Sequence, residues 1–221
     1  MSYAPHAPRG ALIAILTVLI SSEVALQMAD LGWIGSPRWR SLAYQYGAFW
    51  PGLLDSWAPN YAAQPVTMFV SYAFLHGGLG HLAGNALALW FLGQAVVARI
   101  GQGGFLGVFA ITSLGGAVSF AALSAGTTPM VGASGALFGL VGIGVGWRFF
   151  DSTATPLRRT RHVLGSIALM VLLNILLNWW YDGHLAWQAH LGGFATGLGL
   201  AKWLGARPRN VRTPQRQRQH H

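Results

Sequence analysis

The chain has 221 residues, 53% of them hydrophobic and only 9% charged, with a formal net charge of +9. A soluble domain carries roughly a quarter charged residues, so this composition excludes a polar-surfaced globular protein and points to a bilayer as the solvent. The absence of cysteine also excludes disulfides, thiolate nucleophiles and Cys-ligated metals.

Six segments are apolar enough and long enough to cross ~30 Å of hydrocarbon, at about 11–29, 81–98, 104–124, 134–150, 163–181 and 186–204. The first follows Arg9, carries Glu23 and lacks a clean cleavage site, which predicts a retained helix rather than a signal peptide. Residues 30–66 hold Trp33, Trp39, Tyr44, Tyr46, Trp50, Trp57 and Tyr61. Rings of this kind favour the headgroup zone, so this loop is expected to lie in the interface, either as a simple anchor or as part of a substrate entrance. Breaker clusters at Gly77-Gly78, Gly101 to Gly104, Thr127 to Pro129 and Asp182-Gly183 separate the spans.

Helices are expected throughout, because an open strand in lipid leaves backbone groups unpaired. The fold class is therefore all-α: a polytopic bundle of six transmembrane helices over residues 1–204. A basic tail, 205–221, has no apolar periodicity and is expected to be disordered. With six spans, Arg9, Arg99, Arg148, Arg158, Arg159, Arg161 and Lys202 share one side with the arginines of the tail, while Arg38 and Arg40 face the other. Basic residues gather on the cytoplasmic side, so both termini are expected there. This distribution beside apolar runs also argues against nucleic acid as a partner. The Gly-, Ala- and Trp-rich chain suggests a bacterial plasma (inner) membrane.

Polar groups inside spans are costly and are usually functional or paired. The informative ones are Glu23, His81, Asn85, Ser134, Asn174, Asn178 and His190. Spans 2, 4 and 6 run in one direction, so His81, Asn85, Ser134 and His190 converge near one shallow depth. A serine hydroxyl needs an adjacent base to become nucleophilic, which makes Ser134 and His190 candidate nucleophile and base. Ser134 opens its helix within Gly132-Ala133-Ser134-Gly135, where backbone N–H groups lack helical acceptors and the dipole favours negative charge. His81 and Asn85, spaced i and i+4, share a helix face and both offer donors. Together with Ser134 they form a candidate oxyanion hole.

Gly135/Gly139, Gly142/Gly146 and Gly193/Gly197 have the small-residue spacing that lets helices approach closely in lipid. None of the acids lies where a triad would need it, so a Ser–His dyad is expected, with packing or another hydrogen bond orienting His190. Glu23 is expected to pair within the bundle or face water, and Asn174 and Asn178 to hydrogen-bond between helices. Taken singly, a serine in a span is ordinarily a packing residue. His76 is expected to tie down the turn before span 2, and His184 to lie exposed in a loop. Metal binding is the rival reading of His76, His81 and His190, but the zinc-protease pattern needs a Glu beside the histidine pair and none is present. No metal and no cofactor are expected.

Three blocks in order, His76-Gly-Gly-Leu-Gly-His81-Leu-Ala-Gly-Asn85, Gly132-Ala-Ser134-Gly135 and Ala189-His190-Leu-Gly-Gly193, resemble the rhomboid family over about residues 11–204. The resemblance implies an intramembrane serine endopeptidase with Ser134 as nucleophile, His190 as base, and His81 and Asn85 in the oxyanion hole. It further implies a membrane-lying first loop, a water-accessible cavity, and transmembrane helices of other proteins as substrates, cut near the outer face. Family members often carry a Trp-Arg pair just before the first histidine of the span-2 block. Here the only such pair ahead of His76, Trp39-Arg40, lies well upstream of it. A rhomboid-like protein that binds helices without cutting them is the alternative, although such a protein would usually have lost Ser134 or His190. A small-solute transporter would show internal repeats, and none is found.

Overall fold

The computed structural model describes residues 9–124, 127–151, 153–180 and 185–204. The basic tail, Asp182 and His184 lie outside the described residues. Among the described residues seven α-helices follow one another: α1 (Gly10–Asp30), α2 (Trp39–Gly47), α3 (Gln64–Ser71), α4 (Leu79–Leu123), α5 (Ser134–Asp151), α6 (Pro156–Trp180) and α7 (Trp187–Leu200). Among the described residues there is no strand, only an isolated antiparallel bridge between Phe49 and Met130. The protein is an all-α membrane bundle.

Helix α4 is two membrane helices in one. Gly101 has φ 78° and ψ 175°, a conformation that interrupts the helix and that glycine tolerates best. The second arm folds back, since a side chain on Gly93 would lie 3.2 Å from the ring of Phe105, whereas a straight helix separates positions twelve apart by ~18 Å. The two arms of α4, with α1, α5, α6 and α7, make six helices; α1, α4 and α6 are long and apolar enough to cross a membrane, and α5 is a shorter apolar helix. α1 buries Leu12, Ile15, Leu19, Glu23 and Leu26, a stripe of three- and four-residue steps, and leaves Ile13, Ile20 and Val24 outward for lipid.

Two helices depart from the expected limits. α6 begins at Pro156 rather than near 163, because proline suits the first helical position and Arg158, Arg159 and Arg161 are good helix formers. The arginine-bearing stretch is therefore the first turns of a helix. Only 6% of the apolar window of α6 is buried within the protein, so most of its surface meets lipid. α7 stops at Leu200, and the turn beyond it is held by Trp147 Nε1, which donates to the Leu204 carbonyl at 3.0 Å.

The first loop is tied down by charge. Arg40, on α2, donates through Nη1 and Nη2 to the two carboxylate oxygens of buried Glu23 at 3.1 and 2.8 Å. Its Nε donates to Asp30 at 2.6 Å, and Nη1 also reaches the His76 carbonyl at 3.2 Å. Tyr44 donates its hydroxyl to the same carbonyl at 2.7 Å. One guanidinium thus joins α1, the loop and the entry to α4, which the upstream position of Trp39-Arg40 did not suggest. Removing one partner of a buried ion pair leaves an uncompensated charge and typically costs ~3 kcal/mol or more. Arg40→Ala is accordingly expected to lower the thermal midpoint markedly, and the double variant Arg40→Met/Glu23→Met to recover much of the loss.

Below that carbonyl, the His76 ring is fully buried, and neither ring nitrogen has a hydrogen-bond partner among the described residues. Burial, and secondarily the neighbouring His81, hold its pKa down to about 4. The unfolded chain takes up this proton near pH 6.5, so the stability from keeping His76 neutral is complete above that value and is lost as pH falls toward 4. The expected result is a thermal midpoint that drops across this window in the wild type, with a smaller drop in His76→Leu.

Candidate active site

Helix α5 begins at Ser134, and three contacts fix the segment before it. Phe49 N–H donates to the Met130 carbonyl at 3.0 Å, Met130 N–H donates back to Phe49 at 2.9 Å, and Gly132 N–H donates to Tyr72 at 2.9 Å. Gly132 has a φ of 118°, and any Cβ there would press on the His81 ring. Glycine is required twice over at this position, by backbone conformation and by the close approach of the imidazole.

The same tight contact governs α5 and α7. A Cβ on Gly193 would overlap the Gly135 carbonyl oxygen, and one on Gly197 the Gly139 carbonyl oxygen. Glycine facing glycine lets the two backbones touch, which is how small-residue spacing promotes helix association in lipid. That approach sets the two side chains at the helix starts face to face. Ser134 Oγ lies 2.8 Å from His190 Nε2.

The proton positions follow from the partners. Asn174 Nδ2 donates to the Met170 carbonyl at 2.9 Å, which turns its amide oxygen toward His190 Nδ1, 2.7 Å away. An amide oxygen only accepts, so Nδ1 carries the imidazole proton and Nε2 has the lone pair that accepts from the serine hydroxyl. The ring is further held by Phe138, stacked at 4.2 Å between centroids and 13° from parallel. Phe138 lies one turn beyond Ser134 on the same face of α5.

A cavity of about 400 Å³ opens beside this pair, lined by Ser134, His190, His81 and Asn85 and walled by leucines of α6. His81 Nδ1 accepts the Gly77 N–H at 3.2 Å, which in a neutral ring puts the proton on Nε2, beside Gly132. Asn85 uses one amide hydrogen on the His81 carbonyl at 2.8 Å, and its amide nitrogen bears a second. The N–H groups of Ser134 and Gly135 in the first turn of α5 have no acceptor within the helix. An arrangement of this kind can move a hydroxyl proton to a base and surround a developing oxyanion with donors.

All four candidate residues read from the sequence therefore meet at one hollow. Asn174, expected only as an interhelical partner, bonds to His190 itself. Its one signal was an amide in an apolar span, which does not say which helix it faces. Asn178 lines the neighbouring groove with Trp187. Glu23 belongs to Arg40 and not to this site. Among the described residues no three His, Cys, Asp or Glu side chains gather as a metal site would need. The His76 and His81 rings lie 5.2 Å apart, with no third such side chain grouped with them among the described residues.

The Rhomboid domain model matches residues 63–207, more than half of the chain. The chain belongs to the rhomboid family. Among curated rhomboid relatives, RHOMBOID-like protein 5 of Arabidopsis thaliana is 32% identical over 145 residues, covering 63% of this chain and 44% of that protein. Rhomboid protease GluP of Bacillus subtilis (strain 168) is 31% identical over 134 residues, covering 59% of this chain and 24% of that protein. The chain spans less than half the length of either relative. The matched region of this rhomboid includes α3 to α7, and with them Ser134, His190, Asn174, His81 and Asn85; α1 and α2 precede it.

Proposed function

We propose that this rhomboid is an intramembrane serine endopeptidase that cuts transmembrane segments of other membrane proteins near the outer face of the bilayer. The observation that carries this reading is the directed chain of hydrogen bonds from Ser134 through His190 to Asn174 at the edge of the cavity. Relatives named as rhomboid protease and rhomboid-like protein support it at family level.

In this reading Ser134 Oγ attacks the scissile carbonyl carbon as His190 Nε2 takes its proton. The carbonyl oxygen becomes an oxyanion, met by N–H groups of the α5 start and by His81 and Asn85. One such donor is typically worth ~3 kcal/mol of transition-state stabilisation. The intermediate collapses, the amine leaves with the proton from His190, and Ser134 holds the acyl group. Water then repeats the sequence with His190 as base, releasing the acid and restoring the hydroxyl. Asn174, being neutral, acts by fixing the tautomer and orientation of the ring.

The basic ends of the helices support an orientation with both termini cytoplasmic, in a bacterial plasma membrane, with the catalytic hollow near the outer face. Purified protein co-reconstituted in liposomes with a single-span substrate protein tests the reading. The expected result is a single peptide-bond cut in the outer part of the substrate helix. A substrate that is bound and stays intact favours the silent, helix-binding alternative.

A further inference from the structure

At the end of the bundle away from Ser134, a recess of about 780 Å³ is lined by Arg99, Arg148, Arg158, Arg159 and Arg161 around Trp147. These arginines come from three separated places: the end of the first arm of α4, the end of α5 and the start of α6. The guanidinium of Arg99 lies 4.3 Å over the Trp147 ring, and Arg159 Nε donates to the Ala154 carbonyl at 2.9 Å. The only acid between residues 99 and 180 is Asp151. Membrane orientation alone would scatter arginines along the loops at this end. It does not explain their convergence from three helices on one hollow.

A second hollow, of about 750 Å³, shares Arg99, Trp147 and Arg148 with the first and continues between α4, α5 and α6 along Leu92, Leu140 and Val145. Its far end shares Leu92, Val141 and Ser166 with the cavity that holds Ser134 and His190. A cationic mouth leading into an apolar slot between membrane helices matches a charged headgroup joined to an acyl chain, and basic pockets between helices suit anionic headgroups. We propose that an anionic phospholipid binds here, its phosphate on the arginines and one acyl chain in the slot, reaching the wall of the catalytic cavity. This binding does not depend on whether the protein cleaves peptides.

Native mass spectrometry of the delipidated full chain, titrated with phosphatidylglycerol, phosphatidylcholine or glycerol phosphate, tests it. Each basic residue near an anionic surface contributes about fivefold, so phosphatidylglycerol is expected to be retained ~10-fold or more over phosphatidylcholine. The variant Arg148→Gln/Arg158→Gln/Arg161→Gln, with unchanged helical circular dichroism, is expected to bring the two lipids close to parity. Gly144 lines the slot, and a Cβ there meets nothing within 4 Å. Gly144→Leu is therefore expected to fold and to weaken phosphatidylglycerol binding by occupying the acyl path. Equal retention of both lipids by the wild type would overturn the proposal. So would displacement of phosphatidylglycerol by glycerol phosphate at matched concentration, which would mark a site for soluble phosphates. Undiminished phosphatidylglycerol binding in Gly144→Leu would overturn the slot.

Discussion

Ser134→Ala and His190→Ala are each expected to abolish cleavage of a reconstituted helical substrate, by a factor on the order of 10,000 or more. Nucleophile and base act as one unit, so losing either costs nearly as much as losing both. The double variant should consequently be little worse than either single one. The fold should persist in both, because Ser134 is only partly buried and the α5–α7 contact is made by glycines rather than by these side chains. Asn174→Leu should be milder. It removes the acceptor for the Nδ1 proton while Phe138 still stacks on the ring, so a misplaced base costing on the order of 100-fold is expected. Initial cleavage rates at matched protein folding, judged by circular dichroism, check all three.

The second large effect belongs to the helix contact itself. In Gly193→Ala, the single added methyl would occupy the place of the Gly135 carbonyl oxygen. That is backbone, and it cannot swing aside as a side chain would. α5 and α7 must separate, Ser134 and His190 move out of hydrogen-bonding distance, and a displacement of ~1 Å costs on the order of 100-fold in rate. Overpacking of this kind also typically costs ~1–3 kcal/mol of stability. Gly199→Ala is the matched control on the same helix, since an added Cβ there meets nothing within 4 Å. Thermal midpoint and cleavage rate should both fall in Gly193→Ala and stay near wild type in Gly199→Ala.

Much of the bundle could be read from the chain because a bilayer leaves few options. Apolar runs of spanning length must be helices, and a serine, two histidines and an asparagine are conspicuous within them. Their convergence followed from chain direction alone. What could not be read was which helix face meets which. Asn174 was visible as an amide in lipid, but spacing along α6 does not reveal that its oxygen faces His190 on α7. Arg40 was hidden for a different reason. It reaches the His76 carbonyl across 36 positions, and only the folding of the loop between them brings the two together. The early start of α6 was obscured because its first turns are arginines, which satisfy a helix and a cytoplasmic loop equally well.

The pairing of an activated hydroxyl with His190 is tested most directly by a serine-reactive fluorophosphonate, with the modified peptide mapped by mass spectrometry. That pairing requires one adduct on Ser134 in the wild type, none in Ser134→Ala, and strongly slowed labelling in His190→Ala. An adduct on another residue, or labelling of Ser134 at an undiminished rate without the imidazole, would contradict it.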